Sequence, residues 1–128
     1  MRILLDTQLL LWSVASSRRL PKPARALILD PENDAFYSAA SVWEIAIKSA
    51  LRRKDFKADP VALVRAFGQS GFSALPVTAT HAARVAALPA IHRDPFDRLL
   101  IAQSFSEPMT FLTNDSILAR YGPLVTLV

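Results

Sequence analysis

The chain contains no cysteine, which excludes disulfide bridges, thiolate metal sites and a cysteine nucleophile. Glycine is scarce: Gly68, Gly71 and Gly122 are the full complement, so there is no glycine-rich loop to cradle a phosphate. No apolar run approaches the roughly 20 residues of a membrane span. A signal peptide is not expected either, because Asp6 interrupts the apolar stretch Ile3-Leu4-Leu5 almost at once. These absences predict a cytoplasmic chain with no membrane association. Histidine is limited to His81 and His92, whose spacing does not suit zinc. His81 sits in Ala-rich helical sequence, as surface or packing histidines do, and His92 lies near the acids discussed below, where most loop histidines are not catalytic. Lysine stops at Lys57, after Lys22, Lys48 and Lys54. A phosphotransfer domain would need a late lysine to neutralise its phosphoryl group, and Gln8 replaces the second acid of an Asp-x-Asp phosphatase loop.

What is present fits a globular chain. The 128 residues are 52% hydrophobic, enough to close one core in one domain. The formal net charge is +4, and its distribution is uneven. Lys48, Arg52, Arg53, Lys54 and Lys57 crowd into ten positions against one acid, Asp55. Such a cluster suits a phosphate backbone or an acidic protein segment; a solvated basic surface is the simpler account of charge alone.

Short apolar runs alternate with longer helical patterns. Strands are expected at Ile3 to Asp6, Ala35 to Ser38, Ser73 to Val77, Thr110 to Leu112 and Leu124 to Val128. Helices are expected at Thr7 to Ala15, Pro23 to Leu29, Ser41 to Arg53, Pro60 to Gln69, Thr78 to Leu88, Pro95 to Ser106 and Ser116 to Tyr121. Asp59 and Asp94 precede Pro60 and Pro95 as helix caps. The first two turns from Ser41 carry almost no polar face, which predicts burial there. This alternation implies an α/β sandwich around a mostly parallel sheet.

Against that background four acids are out of place. Asp6 ends Ile3-Leu4-Leu5, Glu44 interrupts Val42-Trp43-Glu44-Ile45-Ala46-Ile47, Asp97 precedes Arg98-Leu99-Leu100-Ile101-Ala102, and Asp115 follows Thr110-Phe111-Leu112. Burying a carboxylate costs several kcal/mol, on the order given by ion desolvation, unless something neutralises it. Asp6, Asp97 and Asp115 each have a simple alternative role at a helix N-terminus. Glu44 does not. Its local partner is Lys48 at i, i+4, and such pairs contribute only about 0.2–0.5 kcal/mol. Sites in open α/β sheets form beyond the carboxyl ends of strands, and Asp6, Asp97 and Asp115 fall at such places. Four converging carboxylates with no soft ligands suit a hard cation, Mg²⁺ or Mn²⁺.

These residues resemble a known family. Asp6-Thr7 with Leu9-Leu10-Leu11-Trp12, and Ser38-Ala39-Ala40-Ser41-Val42-Trp43-Glu44-Ile45-Ala46-Ile47-Lys48, resemble the first half of a PIN-domain nuclease. Leu88-Pro89-Ala90-Ile91-His92-Arg93-Asp94-Pro95-Phe96-Asp97-Arg98-Leu99-Leu100-Ile101-Ala102-Gln103 is similar to a signature of VapC-type toxins, and Leu112-Thr113-Asn114-Asp115 completes the pattern. The resemblance implies a single PIN domain over residues 1–128, with a three-layer sandwich about a mostly parallel sheet. It further implies a Mg²⁺- or Mn²⁺-dependent ribonuclease, paired with a VapB-type antitoxin and forming a homodimer. Carried over by position, Asp6, Glu44, Asp97 and Asp115 form the acidic catalytic site. Asp6 and Asp97 are the metal ligands, Glu44 and Asp115 act directly or through water, and Thr7 and Thr113 support them; in the mechanism this suggests, Glu44 orients or deprotonates the attacking water and Asp115 completes a second metal position. Arg98, Arg93 and the basic cluster are candidates to hold the RNA backbone, with solvation or antitoxin contact an equal alternative for each. Gln8 stands where many relatives carry a histidine. A non-catalytic RNA- or protein-binding module is the rival expectation; it predicts salt-sensitive binding indifferent to Mg²⁺.

Overall fold

A computed structural model describes residues 1–51 and 59–128. Within them, β1 (Arg2–Leu5), β2 (Asp34–Ser38), β3 (Ser73–Leu75), β4 (Thr110–Thr113) and β5 (Val125–Leu127) form one sheet in the order β3-β2-β1-β4-β5. All four pairings are parallel. The helices are α1 (Thr7–Val14), α2 (Lys22–Leu29), α3 (Ala39–Ala50), α4 (Pro60–Gln69), α5 (Ala79–Arg84) and α6 (Pro95–Ser106). The α/β class and the parallel sheet expected from the alternation are therefore present.

β1 lies at the centre, and its side chains alternate between faces with the period of two that a strand imposes. Ile3 and Leu5 join a core with Leu9, Leu10, Ala24 and Phe67 from α1, α2 and α4. Leu4 joins a second core with Ala40 of α3, Leu100 and Ile101 of α6, and Phe111 of β4. Ile3, Leu4 and Leu5 are all fully buried, as expected of a parallel strand covered on both faces. Helices thus flank the sheet on either side, giving three layers.

Several boundaries differ from the sequence expectation for local reasons. α3 begins at Ala39, capped by the Ser38 hydroxyl, which accepts from the Ala40 amide. Its expected continuation through Arg52 and Arg53 lies outside the described residues, as do Lys54 and Lys57 of the basic cluster. The predicted burial of its first turns holds for Ala40, Ser41, Glu44 and Ile45, but Trp43 is 60% exposed. β3 ends at Leu75, ahead of Pro76, which has no amide to extend a ladder. The helix expected from Thr78 to Leu88 is α5 followed by a 3₁₀ turn at Val85–Ala87, and Leu88 is extended ahead of Pro89. The helix expected at Ser116 to Tyr121 is a 3₁₀ turn at Leu118–Tyr121, because Asp115 Oδ1 takes the Ile117 amide and opens the turn later. Among the described residues no helix is long and apolar enough to cross a membrane.

Candidate metal centre

The strand order gathers the ends of β1, β2 and β4 with the start of α6. Asp6 follows β1 and caps α1: its Oδ1 accepts from the Leu9 amide at 2.7 Å. Its Oδ2 accepts from the Thr113 hydroxyl at 2.6 Å. Asp6 is therefore both the helix cap of the simple account and a wall of the site. Thr113 ends β4 fully buried, and its Oγ1 also accepts from the Asp115 amide at 3.0 Å.

Glu44 lies on the buried face of α3, 5% exposed. The Thr7 hydroxyl sits 2.9 Å from Glu44 Oε1 and 2.8 Å from Ser41 Oγ. One hydroxyl donates once and a carboxylate only accepts, so Thr7 donates to Glu44 and receives from Ser41. Lys48 Nζ meets the other oxygen, Oε2, at 2.7 Å. The local i, i+4 pair thus exists, and Glu44 nevertheless faces the same cavity as the other acids.

Asp97 stands in the first turn of α6, whose cap is Asp94, accepting from the Phe96 and Asp97 amides. The Asp97 carboxylate receives no hydrogen bond among the described residues and points toward His92 Nε2, 3.7 Å away. His92 Nε2 lies 3.1 Å from Asp115 Oδ2.

Asp6, Thr7, Glu44, Asp97 and Asp115 all line one cavity of ≈ 340 Å³, together with Gln8, Lys48 and Asp94. Among the described residues, His92, Asp97 and Asp115 each offer a ligand atom with all three within 4.8 Å of one another. Asp6 and Glu44 share the cavity without joining that trio. Arg98 is directed elsewhere: its guanidinium donates to the Pro89 and Val85 carbonyls and to the Tyr121 hydroxyl. It braces the loop before α6 rather than lining the cavity. Arg93 is exposed outside the cavity lining.

The crowding has an electrostatic signature. The Asp97 carboxyl is pushed up to about 7, first by burial, then by the negative charges of Asp94 and Glu44, with His92 opposing. Burial also raises Asp6 above its ordinary value, against the hydrogen bonds from Thr113 and Leu9 and with added repulsion from Asp115. A cation placed among these groups would relieve both. The donor set is dominated by carboxylate oxygen, which matches Mg²⁺ or Mn²⁺. The residues present therefore fit a divalent ion.

The PIN domain family model matches residues 3–123. The chain belongs to the PIN domain family. PIN domains are generally nucleases that use divalent metal. Among solved structures, the PIN domain here is similar to VapBC2 from Rickettsia felis bound to a DNA fragment from their promoter. That match has a TM-score of 0.71 and 16% identity, covering 100% of this chain and 98% of that one. FitAcB from Neisseria gonorrhoeae matches with a TM-score of 0.63 and 23% identity, over 93% of this chain and 91% of that one. FitAB bound to an IR36 DNA fragment matches with a TM-score of 0.65 and 21% identity, over 98% and 94%. At these identities the likeness is one of fold. No curated protein matches the sequence.

Sequence reasoning missed His92 and Ser41 as parts of the site. Ser41 carried no signal of its own, because the hydroxyl that links it to Glu44 belongs to Thr7, 34 positions away. His92 had none beyond its place five positions before Asp97, because its partner is 23 positions away.

Proposed function

We propose that this single PIN domain, residues 1–128, is a Mg²⁺- or Mn²⁺-dependent ribonuclease acting as the toxin of a toxin–antitoxin pair. The observation that carries the reading is the convergence of Asp6, Glu44, Asp97 and Asp115 on one cavity from separate elements. Asp6 and Asp97 would hold the ion, with Asp115 completing the centre. When bound, a divalent cation would acidify a water molecule and offset the charge that builds on the scissile phosphate. Glu44, fixed by Thr7 and Lys48, is placed to orient that water or take its proton. Thr113 holds Asp6 at its position.

The partner half of the proposal rests on fold likeness to complexes described as VapBC2 and FitAB. A VapB-type antitoxin and homodimerisation are the corresponding partners proposed for this chain. The helices α1 and α4 enclose an apolar groove lined by Leu11, Trp12, Val14 and Leu63, a surface of the kind a protein partner covers.

The purified protein should cleave single-stranded RNA with Mg²⁺ or Mn²⁺ and stop in EDTA. Asp6→Asn and Asp97→Asn should each lower cleavage by about 10²-fold or more, the scale for losing a group that stabilises transition-state charge, while remaining folded. Undiminished cleavage by both variants would sink the mechanism. Salt-sensitive RNA binding without turnover, indifferent to Mg²⁺, would instead identify a non-catalytic binding module. Growth arrest on expression, relieved by the product of an adjacent small reading frame, is the expected outcome for the toxin assignment.

A further inference from the structure

We infer that His92 is a positioning residue of the metal centre, an N–H donor that holds Asp115 toward Asp97, and not itself a ligand of the ion. The inference rests on the functional reading above and deepens it.

His92 superficially completes a ligand set: its Nε2, one Asp97 oxygen and one Asp115 oxygen lie within 4.8 Å of one another. The other side of the ring decides otherwise. Nδ1 accepts a hydrogen bond from the Asp94 backbone amide at 3.1 Å. An amide can only donate, so Nδ1 must present its lone pair there, and in the neutral ring the proton then sits on Nε2. Nε2–H is thereby aimed at Asp115 Oδ2, 3.1 Å away. Ligation through Nε2 would require moving the proton to Nδ1, setting two donors against each other.

The ring also links a hydrogen-bonded chain. The Thr113 hydroxyl donates to Asp6, and the Asp115 amide donates to Thr113. His92 Nε2–H donates to Asp115, and the Asp94 amide donates to His92. Asp94 in turn caps the turn that carries Asp97. The Asp6–Thr113–Asp115 side of the cavity and the Asp94–Asp97 side are joined through this imidazole. The His92 amide donates to the Tyr121 hydroxyl at 3.0 Å, which anchors the loop itself. Removing the ring would leave Asp115 held only through Oδ1 by the Ile117 amide, with nothing drawing Oδ2 toward Asp97, while leaving every proposed carboxylate in the chain.

Mn²⁺ binding tests this directly. Calorimetric titration of the protein with Mn²⁺ should show affinity about tenfold weaker in His92→Ala, the low end of the loss seen when groups that orient metal ligands are removed. His92→Gln, whose side-chain amide can also donate, should recover most of it. Electron spin-echo modulation of the bound Mn²⁺ should contain no imidazole nitrogen coupling in the wild type. Nitrogen coupling would overturn the inference by making His92 a ligand, as would equal Mn²⁺ affinity in wild type and His92→Ala. If His92→Ala fails to fold, His92→Gln carries the test: affinity well below the wild type, with the fold intact, would overturn the donor role. Failure of the wild type to bind Mn²⁺ at all would sink the functional reading together with this one.

Discussion

Glu44 and Lys48 meet at 2.7 Å with side chains 7% and 42% exposed, respectively, and the asymmetry matters. Removing the ammonium leaves a nearly buried carboxylate oxygen without its charged partner, a loss of about 1 kcal/mol or less once solvent screening of the exposed lysine is allowed for. Lys48→Gln should therefore lower the melting temperature of the metal-free protein, and Mn²⁺ should recover part of the loss by supplying another positive charge. An identical loss with and without Mn²⁺, in thermal melts at fixed pH, would contradict this account. At this scale the sequence was only partly readable. A misplaced charge such as Glu44 can be recognised from its own neighbours, since an acid in apolar helical sequence demands a partner. Ser41 is a small polar residue with no such demand, and its role appears only through Thr7, 34 positions away. Arg98 looked available for RNA beside Asp97, yet an extended side chain can reach backward, and it binds the carbonyls of residues 9 and 13 positions earlier.

The helices show which local signals can be read without a fold. Asp59 and Asp94 each precede a proline, and each caps the helix that follows. Their consequences differ because only α6 opens into the cavity. Asp59→Ala removes a cap that accepts from the Val61 and Ala62 amides. It should cost about 1 kcal/mol of stability while leaving RNA cleavage at the wild-type rate. Asp94→Ala should cost a similar amount and also alter cleavage, because Asp94 caps the Asp97 turn and repels its charge. Chemical denaturation paired with cleavage assays separates the two; equal cleavage rates for both variants would count against a role for Asp94 in the site. Helix ends fixed by such caps were legible from residue types alone. The 3₁₀ turns at Val85–Ala87 and Leu118–Tyr121 were not, because the same apolar spacing suits a short helix until packing and a competing Asp115 side chain decide.

At the scale of the molecule, the raised Asp6 and Asp97 carboxyls tie stability to pH. Both bind their protons more tightly in the folded state than at the ordinary value of 3.8. The folded chain thus carries more protons than the unfolded one through that window, and stability falls as pH rises. For Asp97 the loss should run from about 4 upward and be complete above about 7. Metal-free protein should melt lower at pH 8 than at pH 5. Added Mg²⁺ or Mn²⁺ should raise the melting temperature more at pH 8, where the carboxylates are free of protons, and Asp97→Asn should flatten the dependence. A melting temperature that climbs from pH 5 to pH 8 in EDTA would refute it. The α/β class was legible in the alternation of strand and helix, but the order β3-β2-β1-β4-β5 was not. It is that order which sets β4 beside β1 and brings Asp115 to Asp6.

The pairing of β1 with β4 also separates making the protein from using it. Thr113 reaches Asp6 across 107 positions of chain, so Asp6 is synthesised well before the strand end that completes its cavity. Contacts of such long sequence separation form late and slowly. A nascent chain carrying Asp6, Glu44 and even Asp97 has no β4 to complete the centre. For the ribonuclease proposed above, the interval in which its own message is being read would pass with the blade still in pieces.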